Sequence, residues 1–142
     1  MHLTLNLNYE ETVDRIMSYS PKYVGITAVT ISIHSAAKIA KMLRERNKDI
    51  ITIIGGPHLT SIPMKTMELF PEFDIGVIGE GEVTIIELLN AYENNMNIEK
   101  IPGLIIRKNG ELKLTERRSF IMDLDSLPMP AWDLLPDISK YY

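Results

Sequence analysis

The sequence contains no cysteine among its 142 residues. Disulfides, a thiolate nucleophile and a zinc or iron–sulfur site ligated by cysteine are therefore excluded within this chain. The absence of cysteine leaves a borrowed cofactor or a partner as the source of any chemistry involving the protein.

Excess positive charge and long hydrophobic runs are also lacking. The net charge is −4 at pH 7, which gives no electrostatic attraction to nucleic acid or anionic lipid. No apolar run approaches the ~20 residues that a membrane span requires. The first residues, MHLTLNLNYEE, lack the basic and apolar regions of a secretory signal. The sequence therefore predicts a cytoplasmic protein without nucleic-acid or membrane partners.

What the sequence does contain is an alternation of β-branched runs with helical patterns. The predicted strands and helices follow one another at 23–29, 35–46, 50–54, 63–70, 74–78 and 82–94. The run IITII has no polar alternation, which is typical of a parallel sheet covered on both faces. Before these elements, LTLNL at 3–7 predicts a short strand, and Asn8 with Glu11 predicts a capped helix. This order indicates an α/β, doubly wound, mostly parallel sheet with helices on both faces.

The last part of the chain changes character. Asn109-Gly110 stands between two extended runs and predicts a β-hairpin that extends one edge of the sheet. From Phe120 onward, prolines forbid a long helix although apolar residues continue. We therefore divide the chain into an α/β domain at 1–119 and a proline-punctuated tail at 120–142. The tail either packs on the domain or leads into a further domain.

Three predicted strands end in turns that are candidates for a ligand site. In open α/β sheets, ligands bind beyond the carboxyl ends of the strands, and right-handed crossovers bring these ends to one rim. The turns lie at 27–32, 55–58 and 79–82. Gly55-Gly56 removes two Cβ atoms, which suits either a bulky ligand close to the backbone or a tight strand-to-helix turn. The pattern alone leaves both interpretations open.

The run Gly79-Glu80-Gly81-Glu82 does not fit a dinucleotide site. Thr84 stands where G-x-G-x-x-G requires its last glycine, and two glutamates repel a pyrophosphate. Their charge suits the N-terminus of the following helix, while Glu80 can also accept hydrogen bonds from a ligand's amides. The histidines have no neighbours at metal-ligand spacing, so no metal site is predicted.

Several motifs, taken in order, resemble the N-terminal cobalamin-binding domain of cobalamin-dependent radical SAM enzymes. They are YVGITAVT, IIGGPHLTSIP, DIGVIGEGEVTIIELL, IPGLIIRKNGEL and DLDSLPMPAWDLLP, and the resemblance covers about residues 8–136. It implies a flavodoxin-like (Rossmann-like) sheet with the corrinoid over the carboxyl ends of the strands. The residues that it implies for cofactor binding are Thr27, Val29, Thr30, Gly55, Gly56, Pro57, His58, Gly79, Glu80, Gly81 and Glu82.

The sequence departs from that family in two respects. It lacks the D-x-H-x-x-G motif, so the resemblance implies a cobalamin without a protein histidine beneath the cobalt. The strand–helix unit with which the family usually begins is also not found here. Three alternatives are open for its place, namely the LTLNL strand at 3–7, another copy of the chain, or an incomplete domain, and an exposed sheet edge is suited to self-association. The family's radical SAM barrel, with its iron–sulfur cluster and S-adenosylmethionine, is expected in a separate domain as the partner. Because this chain has no cysteine for the cluster, the resemblance implies no catalytic residue here and no radical SAM catalysis by this chain alone.

The sequence is compatible with three functions. The first is a module that binds cobalamin and orients it for a radical SAM methyltransferase or cyclase-like enzyme. The alternative is a non-catalytic interaction domain of the same fold that has lost the cofactor. A small flavodoxin-like enzyme acting with a flavin or nucleotide comes last, because no motif supports it.

Overall fold

The computed structural model of the protein describes residues 7–134. Its elements in chain order are α1 (Tyr9–Met17), β1 (Tyr23–Thr27), α2 (Ile33–Arg46), β2 (Ile51–Gly55), α3 (Pro57–Ser61), α4 (Pro63–Leu69), β3 (Ile75–Val77), α5 (Glu82–Glu93), β4 (Leu104–Lys108) and β5 (Glu111–Leu114). Short 3₁₀ turns lie at Ile98–Lys100, Leu124–Ser126 and Trp132–Leu134. The strand predicted at 3–7 falls outside the described residues except for Leu7, as does the tail beyond residue 134.

The strands form one sheet in the order β1-β2-β3-β4-β5. β1, β2 and β3 are parallel, whereas β4 runs antiparallel to both β3 and β5. The predicted mostly parallel sheet with a hairpin at one edge is confirmed. Asn109 and Gly110 have φ angles of 51° and 86°, the pair of left-handed conformations that a two-residue hairpin turn requires.

Helices cover both faces of the sheet, as predicted. On one face Ile54 packs in a core with Leu59 of α3 and residues of α2 and α4. On the other face Ile53 packs in a core with Leu88 of α5. Neighbouring residues of β2 therefore point into opposite cores, and both are buried. This explains why IITII shows no polar alternation.

Two helix starts show where sequence prediction succeeded and where it failed. At α1 the Asn8 side chain accepts from the Glu11 N–H (3.0 Å), and the Glu11 carboxylate accepts from the Asn8 N–H (2.8 Å). The predicted capping box is thus present. The short helix α3 was not predicted, because Gly-Gly-Pro indicates a turn. Pro57 is tolerated there because the first turn of a helix needs no N–H from it.

β1 lies at the end of the strand order, and within residues 7–134 its outer edge pairs with no other strand. The Ala28 N–H donates to the Gly55 carbonyl on the β2 side (3.1 Å). Because hydrogen-bonding directions alternate along a strand, the backbone groups of Tyr23, Gly25 and Thr27 point away from β2. The open position is at the sheet edge and interrupts no strand pairing. Among the helices of this described part, none is long and apolar enough to cross a membrane.

Candidate functional site

The loops that follow β1, β2 and β3 meet at one rim of the sheet. We call them the first loop (28–32), the second loop (55–58) and the third loop (78–82). The residues singled out from the sequence lie in these loops or, for Thr27, at the end of β1. Because β1, β2 and β3 are parallel, all three carboxyl ends lie on the same side of the sheet.

The first and second loops pack directly against each other at Gly56. Its φ is +96°, and a Cβ added there would lie 2.8 Å from the Ala28 carbonyl oxygen and 3.2 Å from the Thr27 hydroxyl oxygen. The His58 N–H also donates to the Ala28 carbonyl (3.3 Å). Gly56 is therefore required by the backbone of the first loop. This contact explains the second glycine of the pair within the chain itself, so the glycine alone gives no evidence of a ligand.

His58 holds the first loop in place. Its side chain is buried, and its Nδ1 lies 3.1 Å from the Thr30 hydroxyl. This contact leaves at most one ring nitrogen for any other partner. Among residues 7–134, no group of three histidine, aspartate or glutamate side chains is placed to hold a metal ion. His34 has a different role, since its ring lies edge-on against Phe70 at a centroid distance of 5.1 Å.

The third loop is attached to α3 by a hydrogen bond. The Gly79 N–H donates to the Thr60 hydroxyl of α3 (3.0 Å), so α3 joins the second loop to the third. Gly79 has a φ of +77°, and no atom lies within 4 Å of the position that its Cβ would take. Sequence reasoning did not identify Thr60. The only signal was a hydroxyl two residues after His58, which indicates nothing without knowledge of α3.

The two glutamates of this loop have different roles. Glu82 is exposed in the first turn of α5, where its charge is favourable near the helix N-terminus. Glu80 is half-buried, and its Oε2 accepts a hydrogen bond from the Ile121 N–H at 2.6 Å. The sequence could not show this contact, because the two residues are 41 positions apart.

The rim surface combines exposed apolar groups with neutral hydroxyls. Val29 is 45% exposed and Ile31 is 94% exposed, and the hydroxyl-bearing Thr27 and Thr30 are also exposed. The three loops contain no lysine or arginine. Such a surface suits a flat, largely apolar ring with neutral polar substituents, and it gives a phosphate no cationic partner.

Residues 2–89 match the family model of the B12 binding domain. An uncharacterized methyltransferase of Pyrococcus horikoshii is 35% identical over 98% of this chain and 30% of its own length. The anaerobic magnesium-protoporphyrin IX monomethyl ester cyclase of Cereibacter sphaeroides is 29% identical over 94% of this chain and 22% of its own length. The chain thus spans less than a third of either relative.

Among solved structures, the cobalamin-dependent S-adenosylmethionine radical enzyme OxsB with aqua-cobalamin and S-adenosylmethionine bound is similar in fold. The TM-score is 0.78 at 19% identity, and the match covers 96% of this chain and 19% of that chain. A likeness at this level of identity bears on the fold alone. It agrees with a flavodoxin-like arrangement of sheet and helices.

Proposed function

Since this chain belongs to the B12 binding domain family, we propose that it binds cobalamin on the rim of its sheet, as the corrinoid module of a radical SAM methyltransferase or cyclase-like enzyme. The family match, which covers more than half of the chain, carries this proposal. Cobalt in a corrin supplies methyl-transfer or radical chemistry that the side chains here cannot provide.

The three loops have complementary roles in this proposal. The apolar side chains of Val29 and Ile31 lie against the corrinoid, while Thr27 and Thr30 offer hydroxyls to its amide substituents. The second loop, from Gly55 to His58, forms the wall beside them. In the third loop, the backbone of Gly79 and Gly81 and the exposed carboxylate of Glu82 complete the contact surface.

The proposed cofactor has no histidine of this chain as a ligand to its cobalt. His58 is the only histidine within the three loops. Its ring is buried and bonded to Thr30 through Nδ1, which supports a role in holding the first loop. We therefore expect that a bound cobalamin would have no histidine of these loops as a ligand to its cobalt.

The tail supports a partner domain beyond this sheet. Within its described part, the tail has several largely exposed apolar side chains, including Met122, Leu124, Met129, Trp132 and Leu134. Exposed apolar residues in sequence indicate an interaction surface. In this proposal, the domain at 1–119 is followed by a tail that leads to a radical SAM barrel, in the same or another polypeptide. That barrel carries the iron–sulfur cluster and S-adenosylmethionine.

The open edge of β1 supports a further part of the proposal, self-association of the chain through this strand. The setting proposed for the module is the cytoplasm. That location is based on the sequence, which contains no cysteine.

Titration of the purified chain with hydroxocobalamin tests the function. We expect stoichiometric co-elution on gel filtration and a base-off visible spectrum. Val29→Asp should weaken binding by about tenfold or more, because it places an unpaired carboxylate against the corrinoid. Leu69→Asp is the matched control. Leu69 is 59% exposed at the far end of α4, so this variant should bind as the wild type does.

Two outcomes would overturn the assignment. A chain that is folded by circular dichroism but retains no cobalamin would make the non-catalytic interaction domain the better description. Equal weakening by Val29→Asp and Leu69→Asp would show that the rim is not the binding surface.

A further inference from the structure

The segment that follows β5 crosses the rim next to the third loop. We call residues 115–121 the strap. At its start, the Leu104 N–H donates to the Thr115 hydroxyl (2.8 Å), and the Gly103 N–H donates to the Glu116 carbonyl (2.7 Å). These bonds fix the beginning of the strap to the edge of β4.

The middle of the strap is bound to α5. Arg118 forms an ion pair with Glu87, and its side chain is only 17% exposed. The Arg118 Cβ lies 3.4 Å from the position that a Cβ on Gly103 would take. Arg118 is thus held between the loop before β4 and the helix that follows the third loop.

The strap's last attachment to the α/β domain is the bond from the Ile121 N–H to Glu80. Ile121 is half-buried, whereas its neighbours Phe120 and Met122 are exposed. Beyond it, the hydrogen bonds found within residues 122–134 are local ones, such as that from the Ser126 N–H to the Asp123 carbonyl. The position of Ile121 therefore decides where the tail leaves the domain.

The strap is only partly packed against the α/β domain. A cavity of about 450 Å³ lies between the strap and the third loop, and its walls include Thr60, Gly79, Leu114 and Phe120. Because the strap spans a cavity, its course depends on discrete attachments rather than on a filled core. Glu80 supplies the attachment nearest the rim. A carboxylate that accepts from a backbone N–H forms one of the stronger hydrogen bonds in proteins.

We propose that Glu80 is a positioning residue that anchors Ile121, and that it thereby directs the exposed tail, and the partner domain beyond it, across the rim. The idea that a partner faces a corrinoid there rests on the proposed function above. The anchoring itself does not, because it concerns a contact within this chain. Glu80 is therefore not one of the residues proposed to touch the cofactor.

Hydrogen exchange and fluorescence of the full chain without cobalamin test the anchor directly. The Ile121 amide should be protected in the wild type, and Glu80→Ala should raise its exchange rate about tenfold or more. Trp132 is the single tryptophan, so the anisotropy of selectively excited tryptophan fluorescence reports on the motion of the tail. We expect this anisotropy to fall in Glu80→Ala.

Two further variants separate positioning from a general loss of structure. Glu80→Gln keeps an oxygen acceptor of the same reach, and it should restore a substantial part of the protection at Ile121. Glu116→Ala removes a carboxylate from the strap itself, but its side chain is exposed and only its backbone takes part in the attachment. It should leave both the Ile121 exchange and the Trp132 anisotropy at wild-type values.

The outcomes distinguish this inference from the proposed function. An unprotected Ile121 amide in the wild type, or one unaffected by Glu80→Ala, would overturn the anchor. Weaker hydroxocobalamin binding in Glu80→Ala with unchanged Ile121 exchange would instead make Glu80 a cofactor contact. If the wild type binds no cobalamin while Ile121 responds as expected, the proposed function fails and the anchor stands.

Discussion

At the scale of single residues, Gly56 is required by the protein's own backbone. Its φ of +96° with ψ of 179° belongs to a region that only glycine occupies readily. The space for its side chain is taken by the Ala28 carbonyl, which cannot move without shifting the first loop. A substitution at Gly56 would therefore impair cobalamin binding indirectly, and it is a poor probe of contact with the cofactor.

We predict that Gly56→Ala lowers the free energy of unfolding by about 2–4 kcal/mol, through backbone strain together with steric overlap. Gly25→Ala is the matched control, because no atom lies within 4 Å of its Cβ position and its φ is not left-handed. The control should be neutral or slightly stabilising. Urea denaturation followed by circular dichroism measures both. A Gly56→Ala variant as stable as Gly25→Ala would contradict the packing of the first two loops.

At the scale of elements, the β4–β5 hairpin is tied to the 3₁₀ turn at Ile98–Lys100 by one carboxylate. Glu99 accepts from the ammonium groups of Lys108 (2.7 Å) and Lys113. Hydrogen bonds from these two lysines, Lys108 first, lower the pKa of Glu99 from 4.5 to about 2. The folded state therefore holds the ionised form more strongly than the unfolded chain does.

This difference predicts a pH dependence with a definite sign. A lowered pKa in the folded state contributes stability above the unfolded pKa, and that contribution is lost as the pH falls from about 4.5 to about 2. The wild type should therefore lose more stability than Glu99→Gln over this range. Urea midpoints at pH 6 and pH 3 measure the difference. Parallel changes in the two proteins would show that the bridge contributes nothing, as many exposed ion pairs do.

At the scale of the whole molecule, the sheet formed within residues 7–134 has two edge strands, β1 and β5. β5 carries the charged Glu111 and Lys113, whereas the outer edge of the uncharged β1 presents the backbone groups of Tyr23, Gly25 and Thr27. Parallel strands are usually paired and covered on both sides. An uncharged edge strand such as β1 is well suited to pairing with another copy.

We predict a reversible dimer formed through β1, with a concentration-dependent sedimentation coefficient. Gly25→Pro should abolish it, because proline removes an outward N–H and leaves the bonds to β2 intact. Gly25→Ala keeps the N–H and should still dimerise. A wild-type chain that sediments as a monomer at high concentration would rule this edge out as a self-association surface.

Much of this fold was predictable because its signals are local. The capping box of Asn8 and Glu11 depends on residues three positions apart, and the hairpin turn depends on Asn109-Gly110 alone. The alternation of β-branched runs with helical patterns was sufficient for a parallel sheet. The order of motifs along the chain then led to the family that the B12 binding domain match established.

The candidate site was predictable as a set of loops but not as a set of contacts. That the carboxyl ends of β1, β2 and β3 share a rim follows from their parallel pairing, which the alternating order of strands and helices predicts. Which partner each side chain takes does not follow. Thr30 and His58, or Glu80 and Ile121, are far apart in sequence and meet only because the strands and the strap bring them together.

The sequence by itself determined the class of fold, the hairpin, the position of the rim and the exclusion of cysteine chemistry from this chain, since these depend on composition and local spacing. Only the tertiary structure decided that Gly56 makes room for the Ala28 carbonyl, that His58 faces Thr30, and that Glu80 binds the strap while Glu82 remains free at the rim. The physical reason is that a glycine or a carboxylate has several favourable partners, and the packing of distant segments selects among them.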